Sequence, residues 1–208
     1  MQVISILNHK GGVGKSTIAT NVAGYFANEG HNVLIGDFDI QQSSKNWLDL
    51  RPDNTAPIVT WEIQQGQLIC PPEGTTHIVI DGPAGIRGAS LKKLVSLSDK
   101  IIVPLKPGIF DMMSTQSFLE EIIGIINEED DKEIELCVIG SMVDARTKSS
   151  EQLSKFVENL ELESPTTIRQ AQIYVHLSAH GLTLFDAKNN SFDKEKEQWQ
   201  PLIEWIER

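Results

Sequence analysis

The sequence predicts an α/β fold, in which a central sheet of buried parallel strands is covered by helices on both faces. Two observations lead there. An apolar run at 3–7 enters a glycine-rich loop and then a helical pattern at 16–29, and two further strand-like runs, 31–36 and 77–80, each end in an aspartate, Asp37 and Asp81. Carboxylates at the C-terminal ends of parallel strands lie at the sheet edge where ligands bind in open α/β folds. A chain of 208 residues is long enough for one such domain, spanning 1–208.

The first strand is short and apolar, as a central parallel strand buried on both faces should be. Lys10-Gly11-Gly12-Val13-Gly14-Lys15-Ser16-Thr17 then reads as a phosphate cradle, with successive backbone N–H groups converging on an anion at the positive end of a helix. Gly11, Gly12 and Gly14 let the backbone wrap closely around phosphate oxygens. Lys15 is placed to reach the β- and γ-phosphates, and the Ser16 hydroxyl to ligate Mg. The generic loop opens on a glycine at position 9, but here that position is His9 and a second lysine, Lys10, follows it. In the helix, Ile18, Val22, Ala23, Tyr25 and Phe26 make the apolar face, and Gly30 ends it.

The second strand runs into Asp37-Phe38-Asp39-Ile40-Gln41. Capping of a helix at 41–50 would account for these aspartates, and so would ligand binding; both roles can hold together. Residues 51–76 are turn-rich around a short strand at 58–61, with Trp47 and Trp61 read as core or partner-contact residues. Apolar residues then run into Asp81, followed by Gly82-Pro83-Ala84-Gly85. This is a Walker B pattern, in which Asp81 holds Mg through a water from across the phosphate site. Helices are expected at 91–98, 112–127 and 150–160, and strands at 100–105 and 134–143. Asp111 is read as the N-cap of the long helix, and Glu128-Glu129-Asp130-Asp131 as an acidic turn.

The 40% hydrophobic and 23% charged composition is that of an ordinary soluble protein, and the net charge of −11 argues against a generally basic nucleic-acid coat without excluding a local patch. No run reaches membrane-spanning length and the N-terminus lacks a signal-peptide flank, so a cytoplasmic location is expected. Cys70 and Cys137 lack a metal or disulfide pattern. His176 and His180 stand four apart on an expected helix, with no third ligand in sight. The tail at 193–208 has Trp199, Leu202, Ile203, Trp205 and Ile206 on one side. With its four glutamates from Glu195 onward and Pro201, it is expected to pack on the body rather than on an anionic membrane.

The loop K-G-G-x-G-K-S resembles the deviant Walker A motif of the ParA/MinD family of ATPases, and with Asp37-x-Asp39-x-Gln41 and Asp81 the resemblance covers nearly the whole chain. Ile40 stands where the family has proline. The chain looks most like the small, ParF-like partition ATPases. That resemblance implies a doubly wound, mostly parallel sheet flanked by helices, ATP and Mg as ligands, and Asp39 as the residue that aligns the attacking water. Ser16, Asp39 and Asp81 are thereby the metal-side residues, and residues 10–17 and Asp81 the nucleotide site. Lys10 is implied to reach the partner's phosphates in an ATP-dependent homodimer. Asp144 and Arg146, by the loop expected near the adenine, are candidates for base recognition, though a helix cap would explain them nearly as well. Arg169, in 167–175, matches the basic residue that helps such dimers hold nonspecific DNA on the nucleoid; a lone surface arginine is the alternative. Lys155, Lys188, Lys194 and Lys196 are possible helpers. A ParB-type adaptor that stimulates hydrolysis is the implied partner, and the cargo a plasmid, chromosome region or protein microcompartment such as a carboxysome. A MinD-like membrane regulator and a ligase similar to dethiobiotin synthetase share this core and remain alternatives.

Overall fold

The computed structural model describes residues 1–64, 67–68, 70–129, 132–187 and 192–208. Seven strands form one sheet in which every pairing is parallel: β1 (Gln2–Ile6), β2 (Val33–Asp37), β3 (Ile58–Thr60), β6 (His77–Asp81), β7 (Lys100–Leu105), β8 (Glu135–Val143) and β9 (Thr167–Arg169). Their order across the sheet is β3-β2-β6-β1-β7-β8-β9, while β4 (Ile63–Gln64) and β5 (Gln67–Leu68) make a separate antiparallel pair.

Both faces of the sheet are covered. On one face α1 (Lys15–Asn28), α2 (Ser43–Asp49), α6 (Gln172–Ser178) and α7 (Asp193–Glu207) build a core around Phe26, Trp47, Tyr174, Trp199 and Ile203. On the other, α3 (Gly88–Leu97), α4 (Ile109–Ile126) and α5 (Lys148–Glu158) pack Leu91, Phe118, Ile122 and Leu153 against Ile80 and Val103. A sheet buried on both sides needs strands that are mostly apolar, and β1, β6 and β7 are, with polar residues such as Gln2, His77, Asp81 and Lys100 kept to their ends and Ser5 bonded to Ser98. α7 turns the apolar side read from its sequence into this core: Trp199, Leu202 and Ile206 are fully buried.

Three elements start earlier than their apolar pattern suggests. α3 begins at Gly88, α4 at Ile109 and α5 at Lys148. Asp111 is therefore not an N-cap but sits in the first turn of α4, whose cap is Gly108; a carboxylate there still suits the helix dipole. His180 falls beyond the end of α6, and its Nδ1 lies 2.8 Å from the His176 carbonyl. Of the acidic turn, Asp130 and Asp131 lie outside the described residues, as does Lys188.

The order of strands places the functional edge. The chain leaves β1 toward β2 on one side, and passes from β6 to β7 across β1, so the crevice opens beyond the C-terminal ends of β1 and β6. Ile6, Asp81 and Asp37 are aligned in register there on three adjacent strands. Behind it, Arg51 and Asp186 form a two-pronged buried ion pair (2.7 and 2.9 Å) that ties the end of α2 to a 3₁₀ turn, Leu184–Asp186.

Candidate nucleotide site

The loop 8–14 is fixed from below before it meets any ligand. Asn8 is fully buried; its Nδ2 donates to the Pro104 carbonyl (2.8 Å) and Thr115 Oγ1 (3.2 Å), and its Oδ1 accepts from the Lys10 N–H (2.9 Å). Gly14 adopts φ 93° as the N-cap of α1, a left-handed conformation that disfavours any side chain. A Cβ there would also lie 2.7 Å from Ser141 Oγ, so the close approach of β8 to the loop requires glycine twice over.

Lys15 is 8% exposed, and its Nζ donates to the Lys10 carbonyl at 2.8 Å rather than to a carboxylate. Burial pulls its ammonium below the ordinary lysine value, against the opposing pull of Asp81 and Asp39. Among the described residues the carbonyl of Lys10 is the hydrogen-bond partner of this buried cation, which leaves it poised for an anion. Lys10 itself makes no ion pair among the described residues.

Three carboxylates at the strand ends differ in what they hold. Asp37 accepts the N–H groups of Ser44 (2.7 Å) and Lys45 (3.2 Å) through Oδ2 and that of Asp39 (3.0 Å) through Oδ1, so it secures the start of α2. Asp39 accepts from Gln41 N–H (3.0 Å) and Ala84 N–H (2.9 Å), joining the loop after β2 to the loop after β6. Those two N–H groups hold its carboxyl below the usual range. Asp81, 1% exposed, accepts from Ser44 Oγ (2.5 Å) and from the Ser16 hydroxyl, yet burial still pushes its carboxyl up to about 6.

A cavity of about 430 Å³ is floored by Gly11, Gly12 and Gly14 to Thr17 and walled by Asp39, Gly82-Pro83-Ala84 and Met142, with Asp81 behind the Ser16 hydroxyl that bonds it. The residues present fit a magnesium triphosphate. Glycine-shaped backbone and Lys15 meet phosphate, while Ser16 and Asp81, a hydroxyl and a carboxylate side by side, are a hard-oxygen set suited to Mg. Gly82 closes the wall: its N–H donates to the Ile6 carbonyl (3.1 Å), and an added Cβ would lie 2.9 Å from that same oxygen.

A second, apolar cavity of about 150 Å³ shares Gly14, Thr17 and Met142 with the first. It shares Arg169, Gln170, Ala171 and Gln172 with a third, of about 590 Å³, which also contains Asp144 and Arg146. The edge thus brings Gly11, Gly12, Gly14, Lys15, Ser16, Thr17 and Asp39 together at one end of a groove, with Asp81 behind Ser16, and Arg146 and Arg169 at the other; Lys10 and Val13 do not line it. Arg146 is 88% exposed and paired two-pronged with Asp144 (2.9 and 2.8 Å), whose carboxyl it pulls down to about 2. Arg169 is half exposed and ion-paired with the nearly buried Glu195 of α7. Sequence reasoning missed Asn8, Ser44 and Met142; the last stands at φ 56°, unusual for a side chain outside glycine.

Comparison with known proteins agrees with this geometry. Residues 4–194 match the CobQ/CobB/MinD/ParA nucleotide-binding domain model. The chain is 23% identical over 195 residues to the maintenance of carboxysome distribution protein A of Halothiobacillus neapolitanus, covering 88% of this chain and 86% of that one. The structure of apo McdA from Cyanothece superposes with a TM-score of 0.74 at 13% identity, covering 98% of each chain. That of cobyrinic acid a,c-diamide synthase from Mycobacterium smegmatis with bound ADP and magnesium gives 0.61 at 17% identity, covering 86% of this chain and 93% of the other. At these identities the two superpositions speak for the fold.

Proposed function

This chain belongs to the CobQ/CobB/MinD/ParA nucleotide-binding family, and from that premise we propose that it is a dimerising ATPase that partitions or positions a cargo on the nucleoid. The observation that carries the reading is Lys10. Its backbone is clamped by Asn8 while its ammonium has no carboxylate partner among the described residues, so the side chain is available to a second subunit.

In this reading ATP and water give ADP and phosphate. The N–H groups of residues 11–16 hold the phosphates, and Lys15 leaves the Lys10 carbonyl for the β- and γ-phosphate oxygens. Ser16 and, through a water, Asp81 would hold magnesium, which would supply positive charge against the phosphates. Asp39, anionic and weakly basic because two N–H groups stabilise its charge, orients the attacking water rather than removing its proton. Because the same carboxylate bonds Ala84, loss of the γ-phosphate is felt in both loops at once.

Two cationic loops can meet only when triphosphates lie between them, so ATP joins two subunits and hydrolysis parts them. Such a cycle suits a release switch, with an adaptor of ParB type stimulating hydrolysis. Nonspecific DNA is the proposed track. Arg169 is the proposed DNA contact, which requires that it exchange Glu195 for a phosphate. The carboxysome distribution relative supports a protein microcompartment as one class of cargo. Lys10→Ala is expected to bind ATP as a monomer but fail to dimerise, read by light scattering on a sizing column with ATP. A Lys10→Ala protein that dimerises normally overturns the two-subunit reading. DNA retention should require ATP and fall with salt and with Arg169→Ala; equal retention with ADP counts against the positioning cycle.

A further inference from the structure

Ser44 lies outside every motif in the sequence, yet its hydroxyl makes one of the most buried polar contacts at the site. The residue is fully buried and its Oγ donates to Asp81 Oδ2 at 2.5 Å. Its backbone N–H donates in turn to Asp37 Oδ2 at 2.7 Å. Asp37 and Asp81 are themselves cross-strand neighbours in register on β2 and β6. The three residues form a closed clasp between two strands and the first turn of α2.

We infer that Ser44 is a positioning residue, which sets the orientation of the Asp81 carboxylate for magnesium and couples the loop after β2 to it. A carboxylate has about four lone-pair sites on two oxygens. The Ser44 hydroxyl occupies one on Oδ2 and fixes the carboxylate plane; Ser16, which also bonds Asp81, covers another. The sites left over are those available to a metal-bound water. Without the Ser44 hydroxyl, a 1% exposed carboxylate loses a donor that water cannot replace at once.

Coupling follows from how α2 is held. Its far end is anchored by Trp47, buried in the core with Nε1 directed at the Leu182 carbonyl (3.4 Å). Its near end is held by the clasp and, through Gln42 at φ 49°, by the turn that begins at Asp39. When Asp39 and Gln41 shift on binding nucleotide, Ser44 is the side chain through which that shift reaches Asp81. The exposed Asp39–Ala84 bond is a further link between the two loops, and the Phe38 N–H, which donates to the Asp81 carbonyl (3.0 Å), is a backbone one.

This inference rests on the magnesium–nucleotide reading above, and the test separates the two. The concentration of magnesium that half-maximally tightens binding of a fluorescent ATP analogue is measured for wild type, Ser44→Ala and Ser44→Thr, with thermal midpoints in parallel. Ser44→Ala is expected to need about five- to tenfold more magnesium, with its magnesium-free affinity within twofold of wild type, and Ser44→Thr, which restores a hydroxyl, to return most of the shift. A Ser44→Ala magnesium requirement equal to that of wild type overturns the inference alone. So does an equal shift in both variants, which would mark a merely structural role. A wild-type protein whose nucleotide affinity ignores magnesium removes the underlying reading, and the inference with it.

Discussion

The two ends of the groove are built on opposite physical terms, and two aspartates show it. At the phosphate end Asp81 is buried, hydrogen-bonded by Ser16 and Ser44, and still pushed up to about 6 by desolvation. At the far end Asp144 stands in water beside Arg146, and its carboxyl is pulled down to about 2. One end stores unfavourable burial of charge until a ligand relieves it; the other holds charges that solvent and each other already satisfy. Binding strength should therefore concentrate at the phosphate end.

The largest effect expected from this contrast is at Lys15. Lys15→Ala removes the buried ammonium that would make charge-assisted bonds to two phosphates, so ATP affinity should fall by about 10²- to 10⁴-fold, at roughly 1.5–3 kcal/mol for each such bond. The ligand-free fold, which gains from Lys15 only a hydrogen bond to a carbonyl, should change by no more than about 1 kcal/mol. Titration calorimetry with ATP and thermal melting of the same samples read both quantities. A large loss of fold stability would mean that Lys15 is part of the scaffold and not a waiting ligand group.

Next in size is Asp81→Asn, which should do opposite things to function and stability. The wild-type carboxyl rises from an ordinary 3.8 to about 6 on folding, so the folded state resists its ionisation. Above pH 6 the ionised form costs the fold about 1–3 kcal/mol, and the cost fades as pH falls through 6 toward 3.8 because the folded state takes the proton first. Asparagine keeps an acceptor for Ser44 without the charge. The ligand-free variant should melt higher than wild type at pH 7.5, keep about half of that advantage near pH 5 and lose it below about 3.8, and show no magnesium-dependent tightening of nucleotide. A variant less stable at pH 7.5 would place the carboxylate among the groups that hold the fold together.

The same contrast decides what could be read from the sequence. Residues 10–17 are contiguous, and their glycines, lysines and hydroxyls have few other uses in that order. Asp37 and Asp81 were visible because each ends an apolar run. Ser44 was not, since its partner lies 37 positions on and the residue passes for an ordinary serine at a helix start. Asn8 was hidden for the same reason, its acceptors lying about a hundred positions away on β7 and α4. The early starts of α3 and α5 escaped because their first turns, 88–90 and 148–150, carry no large apolar side chain and so no apolar signal. Ile109 and Phe110, apolar but 58% and 78% exposed, gave a signal that packing does not honour. At the far end, β9 is only three residues long, so nothing periodic announces the loop 170–172 that shapes the groove.

The smallest expected effect is the sharpest check on the far end. Arg146 is 88% exposed and Asp144 41%, so both charges keep most of their water, and breaking their pair leaves no buried orphan. Arg146→Ala should leave the melting temperature within about 1 °C of wild type and lower ATP affinity by no more than about threefold. Any loss should shrink as salt rises from 50 to 500 mM, roughly the range over which the Debye length falls to a few ångströms. Because Asp144 stays ionised down to about 2, that small difference should also be constant from pH 5.5 to 8, while the Asp81 end titrates over part of the same range. A tenfold, salt-resistant loss would show that Arg146 meets the ligand in a desolvated pocket, and that nucleotide binding closes the far end of the groove into something like the near one.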